Sequence, residues 1–306
     1  MDYQGILDDI NAQIRPLLGS SGRVASYIPA LARVSPLRFG IALRTCDGPE
    51  AGAGDADTAF SIQSMSKVFT LTLAMRGLGE TLWQRIGREP SGSPFNSLVQ
   101  LETERGIPRN PFINAGAIAV ADRLLSQFGS EALAKVLDLL SSLVGEAIDI
   151  DPEVAQSEAD TGFRNTALAN FMRGFGTLDN EPQRVLDVYF RQCAISMTCR
   201  QVARAAGYLC RDGVHPYDGS QHVVSETQAR RVNSLMLTCG TYDAAGEFAF
   251  RIGLPCKSGV GGGIVAVVPD RLSLCVWSPA LDNTGNSQLG RKALELFVAR
   301  TGLSVF

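Results

Sequence analysis

The sequence predicts an α+β fold, with an antiparallel sheet flanked by N- and C-terminal helices and accompanied by a helical lobe. Three observations lead to this prediction: strand-like segments lie near both ends, the middle is helical, and each end carries an amphipathic helix. Strands that bracket a run of helices favour α+β over alternating βαβ units. The simplest closed arrangement pairs strands from the two ends in one sheet.

The first element is an amphipathic helix that extends to about residue 18. Ile6, Ile10 and Ile14 recur at helical spacing. Residues 37–43, LRFGIAL, predict a strand, and the Asp-Gly pair that follows them is typical of a hairpin turn. The return strand through AGAGDAD is weak, because its residues are small and polar.

The middle of the chain is mostly helical. A strong helical pattern begins at about Ser64 and continues to Leu78, and stretches rich in glycine, proline, asparagine and aspartate separate the later helices. The further predicted helices are residues 121–128, 131–143, 166–173, 181–194, 199–210 and 227–237.

The last part of the chain returns to strands. Glu247–Ile252 alternates between polar and apolar residues, Gly263–Val268 is a β-branched apolar run, and Leu272–Trp277 follows a turn. A final helix is expected at about Ser287–Arg300.

This order divides the chain into two predicted lobes. Residues 1–63 and 241–306 form a mixed α/β lobe, and residues 64–240 form a mainly helical lobe. We expect the active site in the cleft between them, because small-molecule sites commonly lie between such units.

Composition and charge argue against several classes of protein. The 28 basic and 31 acidic residues give a net charge of −3, so there is no basic surplus for nucleic acid or an anionic membrane. The N-terminus does not resemble a signal peptide, and no apolar run is long enough to cross a bilayer. Seven scattered cysteines fit reduced thiols. We expect a cytoplasmic protein without nucleic-acid or membrane partners.

Only two histidines occur, which argues against a His-rich metal site and against a Ser-His-Asp triad. We therefore expect neither a metal nor another cofactor.

The candidate nucleophile is Ser64, which lies three residues before Lys67. Residues at this spacing share one face of a helix. A partly buried lysine can take the proton of a hydroxyl, because loss of solvation lowers its pKa. Ser64 also begins the helix, where free backbone N–H groups favour developing negative charge. A chance match to such a short motif is the alternative interpretation.

A second lysine motif precedes the apolar run at 263–268. Lys257-Ser258-Gly259 opens a glycine-rich stretch whose strand edge can present an amine and backbone N–H groups to a ligand. Lys257 is therefore a further candidate catalytic residue and an alternative to Lys67 as proton acceptor. The other interpretation is a flexible hairpin with a solvated lysine.

The two motifs together are more specific than either alone. S-x-x-K at the first helix of a helical block and K-[ST]-G on a late strand mark the serine β-lactamases and penicillin-binding proteins. The predicted order of elements agrees with their architecture, whereas their third motif, S-D-N, is absent.

The chain resembles the serine-dependent glutaminases, which share the β-lactamase-like fold. The resemblance extends from about Tyr27 to Val268. Its segments are SYIPALA (26–32), FSIQSMSKVF (60–69), NPFINAGAI (110–118), Ser157-Glu158, RNTALA (164–169), VLDVYF (185–190), CGTYDAAGEFAFRIGLPCKSGVGGGI (239–264) and VVPD (267–270).

The resemblance implies hydrolysis of L-glutamine to L-glutamate and ammonia. It implies that Ser64 is the nucleophile and Lys67 its proton acceptor, and that Tyr189 and Tyr242 lie close to the reacting amide. The N–H groups of Ser64 and Val260 would stabilise the oxyanion. By residue type alone, the two tyrosines would be ordinary core aromatics.

The resemblance also implies which residues bind the substrate. Tyr27, Asn114, Glu158 and Asn165 would hold its α-amino and α-carboxylate groups, beside Ser64 and the catalytic tyrosines. Read without the resemblance, both asparagines could be helix caps and Glu158 a solvated surface carboxylate. The family likeness further suggests a homodimer or homotetramer.

Two alternative functions remain open at this point. Another amidase or a penicillin-recognising serine hydrolase would use the same scaffold and the same Ser64. A non-enzymatic glutamine-binding protein would keep the binding residues and would not need the hydroxyl.

Overall fold

A computed structural model describes residues 1–20 and 22–306 of the chain. Within these residues the strands, in chain order, are β1 (Gly40–Thr45), β2 (Glu50–Gly54), β3 (Phe60–Ser61), β4 (Asp149–Ile150), β5 (Ile195–Met197), β6 (Cys256–Ser258), β7 (Gly263–Val268) and β8 (Leu272–Trp277).

The α-helices of the described residues include Ser66–Leu78 and Asn114–Phe128, which pack against each other. In chain order the helices are α1 (Tyr3–Ile14), α2 (Pro29–Ala32), α3 (Ser66–Leu78), α4 (Leu98–Thr103), α5 (Asn114–Phe128), α6 (Ala132–Val144), α7 (Pro152–Thr161), α8 (Phe163–Gly174), α9 (Pro182–Cys193), α10 (Cys199–Ala205), α11 (Glu226–Cys239), α12 (Ala245–Arg251) and α13 (Gln288–Thr301).

The main sheet joins strands from both ends of the chain. Its order is β2-β1-β8-β7-β6, and every neighbouring pair is antiparallel. Gly40 of β1 lies opposite Trp277 of β8, so residues more than two hundred positions apart are direct neighbours. The predicted pairing of N- and C-terminal strands in one antiparallel sheet is confirmed.

Both faces of the sheet are covered. Ile41 and Val276 pack with Phe297 under α1 and α13, whereas Ala42 and Cys275 belong to the core shared with the middle helices. Side chains alternate between the two faces of a strand. With both faces buried, β7 and β8 are continuous apolar runs, which is why the sequence showed them clearly.

The middle helices pack around α3. This helix is buried from Ser66 to Met75 and contacts α5, α6 and α11. A small sheet with the order β3-β5-β4 attaches the segment just before α3 to the end of α9. The start of α3 is therefore held between the main sheet and the helices.

Several elements differ from the sequence-based expectation, which did not include α2, α4, α7, β4 or β5. Glu247–Ile252, interpreted as a strand, lies almost entirely in helix α12, and the missing strand is the short β6. The alternation of polar and apolar residues did not identify a strand here. Phe248 faces the core and Phe250 faces solvent, and a single helical turn produces the same difference between neighbouring positions. Helix α7 was not predicted, since Val154 and Glu158 are the residues that it buries.

None of the helices in residues 1–20 and 22–306 combines the length and the apolar character that crossing a bilayer requires.

Helix α13 depends on Phe297, whose side chain is 0% exposed between the helix and the sheet. We expect Phe297→Ala to lower the free energy of unfolding by about 3–5 kcal/mol, because it removes a large buried ring and leaves a cavity. Urea unfolding followed by circular dichroism measures this change. The matched control is Phe250→Ala, since Phe250 is 87% exposed and its loss should cost less than about 0.5 kcal/mol. Equal losses in both variants would contradict this packing.

Candidate active site

A cavity of about 100 Å³ opens beside the start of α3. Seven residues named from the sequence line it: Tyr27, Ser64, Asn114, Glu158, Asn165, Tyr189 and Val260. The other three, Lys67, Tyr242 and Lys257, are buried. A shallower depression of about 700 Å³ shares Tyr27, Phe95 and Val260 with the cavity and adjoins it.

Ser64 lies on a tight turn between β3 and α3. Residues 63–65 form one 3₁₀ turn, and Gln63 has a φ of +51°, a conformation that few non-glycine residues adopt. Such strained residues occur where the surrounding structure enforces them. The turn places the Ser64 side chain at the cavity wall and its backbone N–H at the start of the helix.

A second turn, residues 259–262, presses against the Ser64 turn. A Cβ added at Gly259 would lie 2.7 Å from the Ile62 carbonyl oxygen and 3.2 Å from the Ser64 nitrogen. The turn is closed by a hydrogen bond from the Gly259 N–H to the Gly263 oxygen. Only a residue without a side chain permits this approach.

The approach leaves two backbone donors free at the cavity. Within the part of the chain that the structure describes, the N–H groups of Ser64 and Val260 donate to no protein acceptor. Val260 also lines the cavity beside Ser64. Two converging free N–H groups can stabilise an oxyanion.

Lys67 is buried next to this turn and is 1% exposed. Its Nζ donates to Asn114 Oδ1 at 2.9 Å and to the Phe112 carbonyl oxygen at 3.2 Å. Burial lowers the pKa of Lys67 to about 8, while Cys193 and Glu158 act in the opposite direction. Among the described residues, this amine makes no hydrogen bond with Ser64. Its side-chain partner is Asn114.

The Tyr242 hydroxyl lies beside Ser64 and donates to the Ser258 carbonyl oxygen at 3.3 Å. Burial raises the pKa of Tyr242 to about 12, and the neighbouring Ser64 and Ser258 partly offset that effect. Tyr242 has a φ of +61° and packs against the Phe95 ring at 4.6 Å between centroids. The structure therefore brings Tyr242, named from the sequence, next to the candidate nucleophile Ser64.

Lys257 lies behind Tyr242. Its Nζ donates to the Ser258 carbonyl oxygen at 2.6 Å and is 4.3 Å from the centre of the Tyr242 ring. Burial lowers its pKa well below the ordinary value, and the charge of Lys67 adds to the effect. Lys257 is fully buried, so the interpretation as a solvated hairpin lysine is wrong.

Glu158 comes from α7 and reaches the opposite side of the cavity. Burial raises its pKa to about 7, which a hydrogen bond from Gln63 and the charge of Lys67 partly offset. It is not a solvated surface carboxylate, because it is 6% exposed.

The two asparagines connect the walls of the cavity. Asn114 Nδ2 donates to Asn165 Oδ1 at 2.9 Å, while its own Oδ1 accepts from Lys67. Asn114 does not cap α5, because the side chain of Asn110 accepts the N–H groups just before that helix. One hydrogen-bonded chain thus links the buried amine of Lys67 through Asn114 to Asn165 at the cavity wall.

Two tyrosines differ in burial. Tyr189 is buried on α9, its ring centre lies 5.8 Å from Lys67 Nζ, and burial together with Cys193 and Glu158 raises its pKa well above the ordinary value. Tyr27 is 56% exposed and lies at the mouth, between the cavity and the larger depression.

Several lining residues were missed from the sequence. Gln63 hydrogen-bonds Glu158, Phe95 covers Tyr242, and Cys193 reaches the cavity from the end of α9. None of them has a motif of its own. The signal that could have drawn attention to Gln63 is its position directly before Ser64.

The chain also contains a serine–histidine pair elsewhere, between Ser142 and His215 at 3.0 Å. The other ring nitrogen, His215 Nδ1, accepts from the backbone N–H groups of Tyr217 and Asp218. Because Nδ1 accepts these two bonds, Nε2 is the ring nitrogen that donates to Ser142. This histidine cannot activate that serine.

Comparison with known proteins agrees with the geometry. A family model described as Glutaminase matches residues 22–306. The chain belongs to the glutaminase family. The Glutaminase of Rhizobium rhizogenes strain K84 is 57% identical over 307 residues, covering 100% of this chain and 99% of the relative. The resemblance stated from the sequence is confirmed. The predicted enzyme class, an amidohydrolase that acts on glutamine, is confirmed with it.

Solved glutaminase structures have the same fold. A probable glutaminase ybaS superposes with a TM-score of 0.94 at 36% identity, covering 100% of this chain and 99% of that one. A probable glutaminase from Bacillus subtilis, complexed with 6-diazo-5-oxo-L-norleucine, has a TM-score of 0.89 at 33% identity and coverage of 100% and 97%. The predicted β-lactamase-like α+β fold is therefore confirmed.

The close approach of Gly259 to the Ser64 turn predicts the effect of one methyl group. We expect Gly259→Ala to lower kcat/KM about 100-fold or more, because the new Cβ would push the two turns apart and misplace both free N–H groups. Ammonia release from glutamine measures the rate. The control is Gly246→Ala, where the added carbon meets nothing within 4 Å. Similar rates for both variants would contradict this arrangement.

Proposed function

We propose that this glutaminase hydrolyses the side-chain amide of L-glutamine through a γ-glutamyl ester on Ser64. The proposal rests on the surroundings of one hydroxyl. Ser64 lies at the cavity wall beside Tyr242 and has two free N–H groups next to it, its own and that of Val260. A nucleophile next to two free donors meets the needs of acyl transfer.

In the acylation step, Ser64 Oγ attacks the amide carbon and its proton passes to Lys67. The carbonyl oxygen becomes an oxyanion between the two N–H groups. Lys67 suits the acceptor role because its pKa of about 8 leaves part of it uncharged near neutral pH. Tyr242, which contacts Ser64, and Tyr189 relay the proton to the leaving nitrogen. Ammonia departs, and water then hydrolyses the ester by the same path in reverse.

The substrate is held by its α-carbon groups. The ammonium group of glutamine pairs with Glu158, whose carboxylate is otherwise costly to bury. The α-carboxylate accepts from the amides of Asn114 and Asn165 and from the hydroxyl of Tyr27. Such a charged clamp selects a free amino acid over a peptide or a β-lactam, because a ligand without those charges leaves buried groups unpaired.

Lys257 is the alternative proton acceptor, and its position favours a supporting role. Its amine contacts the Ser258 carbonyl oxygen and the Tyr242 ring, so it reaches the nucleophile only through Tyr242. We propose that Lys257 keeps Tyr242 and β6 in place. The positive charges of Lys67 and Lys257 also repel each other, which favours a state in which one of the two amines is neutral.

The setting of the reaction is part of the proposal. The two lobes, residues 1–63 with 241–306 and residues 64–240, would enclose the substrate between them, because Tyr27 and Val260 of the first lobe line one cavity with Ser64, Glu158 and Asn165 of the second. A homodimer or homotetramer, a cytoplasmic location and the absence of nucleic-acid and membrane partners stay predictions. Light scattering of the purified chain tests the assembly.

Removing the nucleophile tests the ester directly. We expect Ser64→Ala to lower kcat by about a thousandfold or more, while glutamine still binds. The diazoketone 6-diazo-5-oxo-L-norleucine should label Ser64 in the wild type and not in the variant, as read by mass spectrometry. The control is Ser66→Ala, which removes a buried hydroxyl without a hydrogen-bond partner and should keep activity. Labelling of another residue in the wild type would refute the ester on Ser64.

The pKa values set a pH profile. Lys67 must be neutral to accept a proton and Glu158 must be ionised to bind the ammonium group, so kcat/KM should rise from pH 6 through the pKa values of about 7 and about 8. Ammonia release between pH 5.5 and 9 measures the profile. A flat or falling profile would contradict both assignments.

Arginine substitutions separate the two lysines. Lys67→Arg keeps the charge and cannot lose its proton, so activity should be lost across the whole pH range. Lys257→Arg, the matched change, should keep a rising profile at a reduced rate. The reverse outcome would make Lys257 the proton acceptor.

A further inference from the structure

Two cysteines that the reaction does not use lie in contact far from each other in sequence. The sulfur atoms of Cys46 and Cys210 are 3.0 Å apart, and neither residue lines the cavity beside Ser64. Cys46 directly follows β1, and Cys210 ends the 3₁₀ turn Ala206–Cys210.

Both residues are fixed to the same turn between β7 and β8. The Cys46 N–H donates to the Arg271 carbonyl oxygen at 2.8 Å, and the Asp270 N–H donates to the Cys210 carbonyl oxygen at 3.0 Å. The Cys46 thiol also donates to the Cys210 carbonyl oxygen at 3.1 Å. The backbones are therefore anchored on adjacent residues, and the two sulfur atoms are held together.

The two thiols differ in access and in acidity. Cys46 is partly exposed, whereas Cys210 is buried. The hydrogen bond with Cys210 lowers the pKa of Cys46, and Arg211 adds to this, against burial and the charges of Asp270 and Asp47. An accessible thiol of lowered pKa next to a second thiol is the arrangement that redox-sensitive cysteine pairs share.

We propose that Cys46 and Cys210 are an oxidisable pair that forms a reversible disulfide when the folded enzyme meets a peroxide. The Cys46 thiolate attacks one peroxide oxygen, the O–O bond breaks, and hydroxide leaves, so Cys46 becomes a sulfenic acid. The Cys210 sulfur then attacks the Cys46 sulfur and displaces the second hydroxide. With the two thiol protons these hydroxides form two waters, and two electrons pass from the thiols to the peroxide.

The bond would connect the sheet to the helical segment that precedes α11. It would close a loop between positions 46 and 210, and crosslinks over long loops stabilise a fold mainly by restricting the unfolded chain. We therefore expect a more heat-resistant enzyme with unchanged turnover.

The test treats the folded enzyme with hydrogen peroxide, blocks the remaining thiols and digests with trypsin. The expected product is a crosslink between the peptides 45–67 and 205–211, lost on reduction with dithiothreitol. The melting temperature should rise by about 5 °C or more on oxidation and return on reduction, with kcat/KM unchanged. Cys46→Ser and Cys210→Ser should each abolish the crosslink and the shift.

A second cysteine pair provides an internal control. Cys199 and Cys275 are neighbours and are both 0% exposed, so they should stay reduced in the same sample. The proposal is overturned if Cys46 remains a thiol, if it is oxidised to a sulfinic acid without a crosslink, or if crosslinks appear between other cysteines instead. It is also overturned if the melting temperature rises equally in Cys46→Ser.

Discussion

The contact between two backbone turns is the constraint on which the candidate site depends. The turn 259–262 approaches the Ser64 turn so closely that a side chain at Gly259 or Gly261 would collide with backbone carbonyl oxygens. The indole of Trp277 donates to the Gly261 oxygen at 3.0 Å, and its ring stacks on Phe60 at 4.7 Å. Trp277 of the main sheet thus contacts the turn 259–262 and the strand that leads into the Ser64 turn, and the position of the turns depends on the sheet.

Burial of charge is the second theme. Lys67, Lys257 and Glu158 are buried away from water. Because burial disfavours the charged form, it lowers the pKa of both lysines and raises the pKa of Glu158. The hydrogen-bonded chain from Lys67 through Asn114 to Asn165 offsets part of this cost. The candidate site therefore concentrates buried ionisable groups around one small cavity.

The predictability of the structure followed the strength of local patterns. Strands β7 and β8 were visible because both of their faces are buried, whereas β6 was hidden because it carries Lys257 and Ser258 in a segment of three residues. Ser64 and Lys67 were indicated by spacing alone. Glu158 was named only through the family resemblance, because its helix buries so little that no apolar periodicity exists. Phe95 and Cys193 reach the cavity by tertiary packing, which no local pattern encodes.

The pairing of β1 with β8 has a consequence for synthesis of the protein. Strand β1 is complete by residue 45, yet the strand that completes its hydrogen bonds on the β8 side ends at residue 277. During translation, one edge of β1 therefore stays unpaired until the helices between β1 and β8 have been synthesised. Such a long-range pairing slows folding, and an unpaired strand edge can associate with other chains. Val260, one of the two residues with a free N–H group beside the cavity, lies between β6 and β7, so this part of the candidate site is also completed only late in synthesis.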